Sequence, residues 1–120
     1  DPLAAAARAL EMAPAIVRLA AQAAVPPDEA ARAWAAVGES FHLPGLRLAA
    51  TQAPANGPFG TRAKAALLDD LADLQTRLAA RALKGALPQA ETAMRIAQEA
   101  ASRPDLAGVT VAVRELSRIA

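Results

Sequence analysis

Apolar positions recur along the chain at steps of three and four, and clusters of proline and glycine cut that rhythm into separate helical segments. Asp1 can cap a short first helix with Pro2 in its opening turn, and Leu3, Ala7 and Leu10 then share a face. Pro14 either ends that pattern or starts the next. From Ala15 onward, Ile16, Leu19 and Ala23 keep helical spacing with Arg18 and Gln22 on the outside, until Val25-Pro26-Pro27 stops them. Asp28 and Glu29 suit the positive end of a following helix, whose Ala30, Trp34, Val37 and Phe41 form a stripe predicted to face the core. His42-Leu43-Pro44-Gly45 marks a bend, after which Leu46, Ala49 and Ala50 support a short helix to about Gln52. The breakers and turn formers between Ala53 and Gly60 predict an exposed loop anchored by Phe59.

The strongest element runs from Thr61 to Lys84, where Leu67, Leu71, Leu74 and Leu78 make one stripe and Gly85 supplies a stop. Asp73 and Arg77 can pair across one turn, but such a pair contributes only about 0.2–0.5 kcal/mol, so the leucines decide how this helix sits. Pro88 begins another helix with Ala90, Met94 and Ala97 on its apolar edge and Arg95 and Glu99 one turn apart; it fades at Ser102-Arg103-Pro104. A last helix follows. Ser102 and Asp105 have capping-box spacing, and Leu106, Val109, Val113 and Leu116 repeat like inner positions of a bundle. The β propensity of Thr110, Val111 and Val113 yields to that sustained period. The expected fold class is therefore all-α, a compact multi-helix bundle, with residues 1–120 forming a single helical domain.

Composition sharpens this picture. Hydrophobic residues make up 54% of the chain and aromatics only 2%, so alanine supplies much of the apolar content and helices are expected to approach closely. Thirteen basic residues against twelve acidic ones leave a net charge of +1, which gives no field to gather nucleic acid or anionic lipid. With no cysteine there are no disulfides or thiolate metal sites, as suits a reducing cytoplasm. The apolar stretch from Leu3 to Val25 is interrupted by Arg8, Glu11, Arg18 and Gln22, so it reads as a helix in water, not a membrane span. Because the chain opens on Asp1-Pro2, it is expected to be a piece of something longer.

Few residues offer chemistry. Asp69, Asp70 and Asp73 could gather a cation, but Asp69 and Asp73 fall opposite the leucines and read as solvated surface. Asp70, nearer the edge of the stripe, is expected to bond a neighbouring helix. His42 is the only histidine, which excludes a multi-histidine metal site and leaves a general base without a partner; it reads as a loop or cap residue. Trp34 and Phe41, two turns apart on an amphipathic helix, read as core rather than a ligand platform. Arg114 and Arg118 could dock an acidic partner, but near a helix C-terminus they read as ordinary complements of its dipole. Gly57 and Gly60 lack the strand-turn-helix context of a dinucleotide loop. No catalytic, cofactor-binding or metal-ligating residue is therefore assigned.

Four segments carry a family resemblance. Ala13-Pro14-Ala15-Ile16-Val17-Arg18-Leu19-Ala20 and Ala31-Arg32-Ala33-Trp34-Ala35-Ala36-Val37-Gly38-Glu39-Ser40-Phe41 resemble the C-terminal helical region of large bacterial NAD-specific glutamate dehydrogenases. Ala65-Ala66-Leu67-Leu68-Asp69-Asp70-Leu71-Ala72-Asp73-Leu74-Gln75 is similar to that family's helix with paired aspartates, and Pro104-Asp105-Leu106 through Val111-Ala112-Val113-Arg114-Glu115-Leu116 to its closing helix. The order of the segments agrees. The chain departs at His42-Leu43-Pro44-Gly45, where similar sequences carry glycine after the phenylalanine and then a Leu-Asp-Trp-like segment, so a different bend is expected there. The resemblance implies a cytoplasmic, homo-oligomeric parent enzyme that oxidatively deaminates L-glutamate to 2-oxoglutarate and ammonia with NAD. It also implies that the catalytic lysine and aspartate and the nucleotide loop lie in other domains, which would be this segment's partners. A free-standing helical interaction module is the alternative, and the coding sequence upstream of Asp1 would separate the two.

Overall fold

The computed structural model describes residues 14–87 and 91–120, apart from the side chains at 58 and 59. The short first helix with Leu3, Ala7 and Leu10, the helix start at Pro88 and the position of Ala90 lie outside the described residues. Among the described residues there are six helices and no strand. Helix α1 covers residues 14–23, followed by α2 (Pro27–Ser40), α3 (Leu43–Gln52), α4 (Gly57–Leu83), α5 (Glu91–Ala101) and α6 (Leu106–Ile119). The radius of gyration, 14.2 Å, is close to the roughly 13.6 Å of a compact chain of this length, and the all-α bundle expected from the periodicity is what forms.

Each helix ends for a local reason. After α1, Val25 N–H donates to the Ala20 carbonyl (3.1 Å) while Ala24 takes a left-handed φ of 55°, a Schellman closure built on alanine instead of glycine. Helix α2 starts on Pro27, with Asp28 and Glu29 in its first turn. Its stripe is buried as expected: Ala30, Trp34, Val37 and, just past its end, Phe41. The chain then turns on one residue. His42, with φ 57° and ψ 31°, is the N-cap of α3, so Pro44 and Gly45 do not form the bend but lie inside the first turn of the next helix. Proline has no N–H to lose there, because the first-turn donors have no intrahelical acceptor.

The expected long loop is likewise partly helix. Only residues 53–56 connect α3 to α4; Gly57, Pro58, Phe59 and Gly60 are helical, and Ala53 is buried rather than exposed. Gly57 takes φ 76°, and Pro58 follows in the first turn, where its fixed φ favours starting a helix. Lys64 reaches back from α4 and donates to the Ala53 carbonyl (2.8 Å), holding the end of α3. At the far end, Gly85 (φ 69°) closes α4: its N–H bonds the Ala82 carbonyl (3.0 Å) and Ala86 N–H bonds that of Arg81 (2.9 Å).

The core lies around α4. Leu67, Leu71, Leu74 and Leu78 are all buried, and α2 covers α4 most extensively, with α3 and α6 on its other sides. Helix α5 packs on α6 and α3 through Ala93, Ala97 and Ala100. Met94 of the expected edge is only half-buried, because these alanines form the inner stripe. Alanine lets the backbones come close: a Cβ built on Gly45 would stand 2.9 Å from Cβ of Ala101. Val109, Ala112, Val113 and Leu116 bury the inner face of α6, and Leu106 is partly buried against it. One local expectation is corrected here. Asp105 is itself the N-cap, accepting from Ala107 N–H (3.0 Å), while the Ser102 hydroxyl donates to the Glu99 carbonyl (2.7 Å), so no capping box forms. Glu99 pairs with Arg103 (3.3 Å), one turn further on.

Candidate functional site

Burying the leucine stripe of α4 turns the opposite side of that helix outward. Asp69, Asp70 and Asp73 are exposed along it, and Asp73 pairs with Arg77 (Oδ2–Nε 3.2 Å) across one turn. Two open grooves flank this ridge. One, of about 370 Å³, lies between α4 and α6 and is lined by Asp70, Asp73, Arg77, Thr110, Arg114 and Ser117 among others. The second, of about 550 Å³, lies between α1 and α4, with Arg18, Gln22, Asp69 and Thr76 over a floor of alanines. The threonine hydroxyls are turned to their own helices: Thr110 donates to the Leu106 carbonyl (2.6 Å) and Thr76 to that of Ala72 (2.9 Å).

This arrangement corrects the reading of Asp70, which is exposed and faces a groove instead of bonding a neighbouring helix. A carboxylate one position before Leu71 keeps its hydration cheaply by turning outward, whereas burial would require charged or hydrogen-bonded partners. Among the described residues no group of three or more metal-ligating side chains comes together. The ridge is a set of solvated charges with arginines beside them, and its ion pair is the weak, screened kind.

The other candidates are dispersed. Trp34 and Phe41 are core residues. His42 is half-buried at the α2–α3 corner; its N–H bonds the Glu39 carbonyl (3.3 Å) and its own carbonyl accepts from Leu46 (3.0 Å). Arg118 pairs with Glu115 (3.4 Å) on its own helix, and Arg114 lies in the α4–α6 groove. Gly57 and Gly60 sit in the first turn of α4, which follows helix α3 and a four-residue connection, so they do not fit the strand-turn-helix cradle of a dinucleotide phosphate.

Two polar side chains with well-defined roles were not singled out by the sequence reading. Gln75 is 3% exposed, the one buried polar side chain among the described residues. Its Nε2 donates to the Trp34 carbonyl of α2 (2.8 Å) and its Oε1 accepts from Arg47 of α3 (3.4 Å), so one amide bridges three helices. A Cβ on Gly38 would fall 2.6 Å from that Nε2, which is why α2 carries glycine there. The signal was present: Gln75 is four residues after Leu71 and three before Leu78, on the stripe itself. Arg81, three residues beyond Leu78, donates to carbonyls at Ala86, Ile119 and Ala120. Among the described residues no buried side-chain nitrogen or oxygen lacks a partner. The polar groups of the interior thus join helices, and the charged groups outside stand in water.

Comparison with known proteins matches the chain to the family model described as glutamate dehydrogenase, C-terminal, over residues 3–118. No curated protein and no solved structure matches the chain.

Proposed function

The chain belongs to the glutamate dehydrogenase C-terminal family, and on that premise we propose that it is a non-catalytic helical segment of an NAD-specific glutamate dehydrogenase, with a structural or assembly role. The parent enzyme in this reading deaminates L-glutamate oxidatively to 2-oxoglutarate and ammonia with NAD, in the cytoplasm. The segment's partners are the remaining domains of that chain and, through them, further copies; nucleic acid and membranes are not among them. The observation that carries the proposal is the extent of the family match, which spans nearly the whole chain.

The use of side chains supports a structural role. Gln75 and Arg81 direct their hydrogen bonds to backbone carbonyls on neighbouring helices, work that holds a scaffold rather than a substrate. Acid–base catalysis needs a base within hydrogen-bonding reach of a group that orients it. His42 sits instead at a helix corner, and the carboxylates of α4 lie in solvent. Among the described residues no helix is long and apolar enough to cross a membrane.

The test compares the purified segment, the parent chain and a parent chain lacking the segment. The segment alone is expected to reduce no NAD with glutamate and to give no specific heat of NAD binding in calorimetry. Removing it from the parent is expected to lower stability or assembly. Saturable NAD binding by the segment that vanishes on changing Asp70 or Arg114 would overturn the non-catalytic reading.

A further inference from the structure

The C-terminal ends of two helices meet at one guanidinium. Arg81 lies in the last turn of α4; its Nε donates to the Ala86 carbonyl (3.1 Å), in the turn that closes that helix. Its Nη1 donates to the carbonyls of Ile119 (2.6 Å) and Ala120 (3.3 Å) at the end of α6, 38 and 39 residues away in sequence. A helix C-terminus presents carbonyls without intrahelical donors and a partial negative charge. One cation therefore serves both ends.

The position of the Ala86 carbonyl depends on the shape of its turn, which Gly85 sets with φ 69°. A guanidinium is a planar fork, so fixing Nε on Ala86 also fixes the direction in which Nη1 points. We propose that Arg81 is a conformational coupler through which the α4–α5 turn and the last turn of α6 order together. When the turn unwinds, the guanidinium regains its rotamer freedom and the α6 carbonyls are left to water. When α6 frays, Nη1 loses its acceptors and the guanidinium is no longer held in the orientation that aims Nε at the Ala86 carbonyl.

Amide hydrogen exchange on the intact chain tests this with Arg81→Met, Gly85→Ala and the double variant. A Cβ on Gly85 meets nothing within 4 Å, so Gly85→Ala acts through backbone conformation alone. Arg81→Met is expected to raise exchange of amides 117–120 by about tenfold, the scale of a charge-assisted hydrogen bond. Gly85→Ala is expected to raise the same amides several-fold, and to add nothing once Arg81 is gone. Amides 34–37 of α2 serve as the internal reference and should keep wild-type rates throughout. The coupling is overturned if Gly85→Ala leaves amides 117–120 at wild-type rates, if its effect is undiminished in Arg81→Met, or if amides 34–37 rise in parallel.

Discussion

Individual side chains on α4 differ in what they can tolerate because one turn of helix separates the driest part of the molecule from solvent. Leu74 is fully buried and Asp69 exposed. Leu74→Asp removes an apolar contact and strands a desolvated carboxylate, a loss of roughly 3–5 kcal/mol or more. Asp69→Ala should shift stability by about 0.5 kcal/mol or less. Thermal melts of both variants check this, with assembly and turnover measured in the parent enzyme; turnover abolished by Asp69→Ala at full stability would contradict the role proposed here. Gly38 offers a finer test. Glycine-to-alanine in a helix interior gains about 1 kcal/mol from propensity, but overpacking against the Gln75 amide, 2.6 Å from the new Cβ, costs about 1–3 kcal/mol. Gly38→Ala is therefore expected to destabilise the native chain and to stabilise a Gln75→Ala background. Equal effects in the two backgrounds, by denaturant titration, would show that the two residues are not coupled.

At the scale of an element, the helix ends carry the informative changes. Ala24 is an exposed alanine at positive φ, a conformation that costs an L-residue about 1–2 kcal/mol and glycine almost nothing. Offset by the extra freedom glycine has when unfolded, Ala24→Gly should raise stability by about 0.5–1 kcal/mol. A lowered melting temperature would mean that α1 does not end as described. At α6, Asp105→Ala removes the side-chain cap and should cost about 1 kcal/mol, whereas Ser102→Ala should cost less, its exposed hydroxyl bonding only the Glu99 carbonyl. The reverse order would restore the capping box that the sequence spacing suggested. The leucines of α4, the stripe of α2 and the stop at Gly85 were legible from spacing because side-chain periodicity is a property of a single helix. The start of α4 was not, since Gly57-Pro58 reads equally well as a loop or as a first turn.

For the whole molecule, the isolated chain is expected to be a monomeric or weakly associating helical bundle. Each strong stripe already has a partner helix within the chain. A far-ultraviolet circular dichroism spectrum dominated by β structure would refute the architecture, and sedimentation reads the association directly. The candidate site was legible mainly by elimination. One histidine, no cysteine and carboxylates opposite a leucine stripe left little from which to assemble an active centre. The two open grooves beside α4 were not foreseeable, because each is walled by residues more than thirty positions apart.

The sequence by itself determined that this chain is helical, where its strongest helices lie and which faces they bury, because local propensity and the 3.6-residue period are written in neighbouring residues. Tertiary structure alone decided which polar side chains join the helices. Gln75 is an interruption in a leucine stripe until the Trp34 carbonyl and Gly38 of α2 are set opposite it, and Arg81 is an ordinary last-turn arginine until the end of α6 arrives beside it. A hydrogen bond between helices needs both partners in place. Spacing along one helix cannot supply the second, since which helix lies opposite, and at what height, is set by how all the stripes pack together.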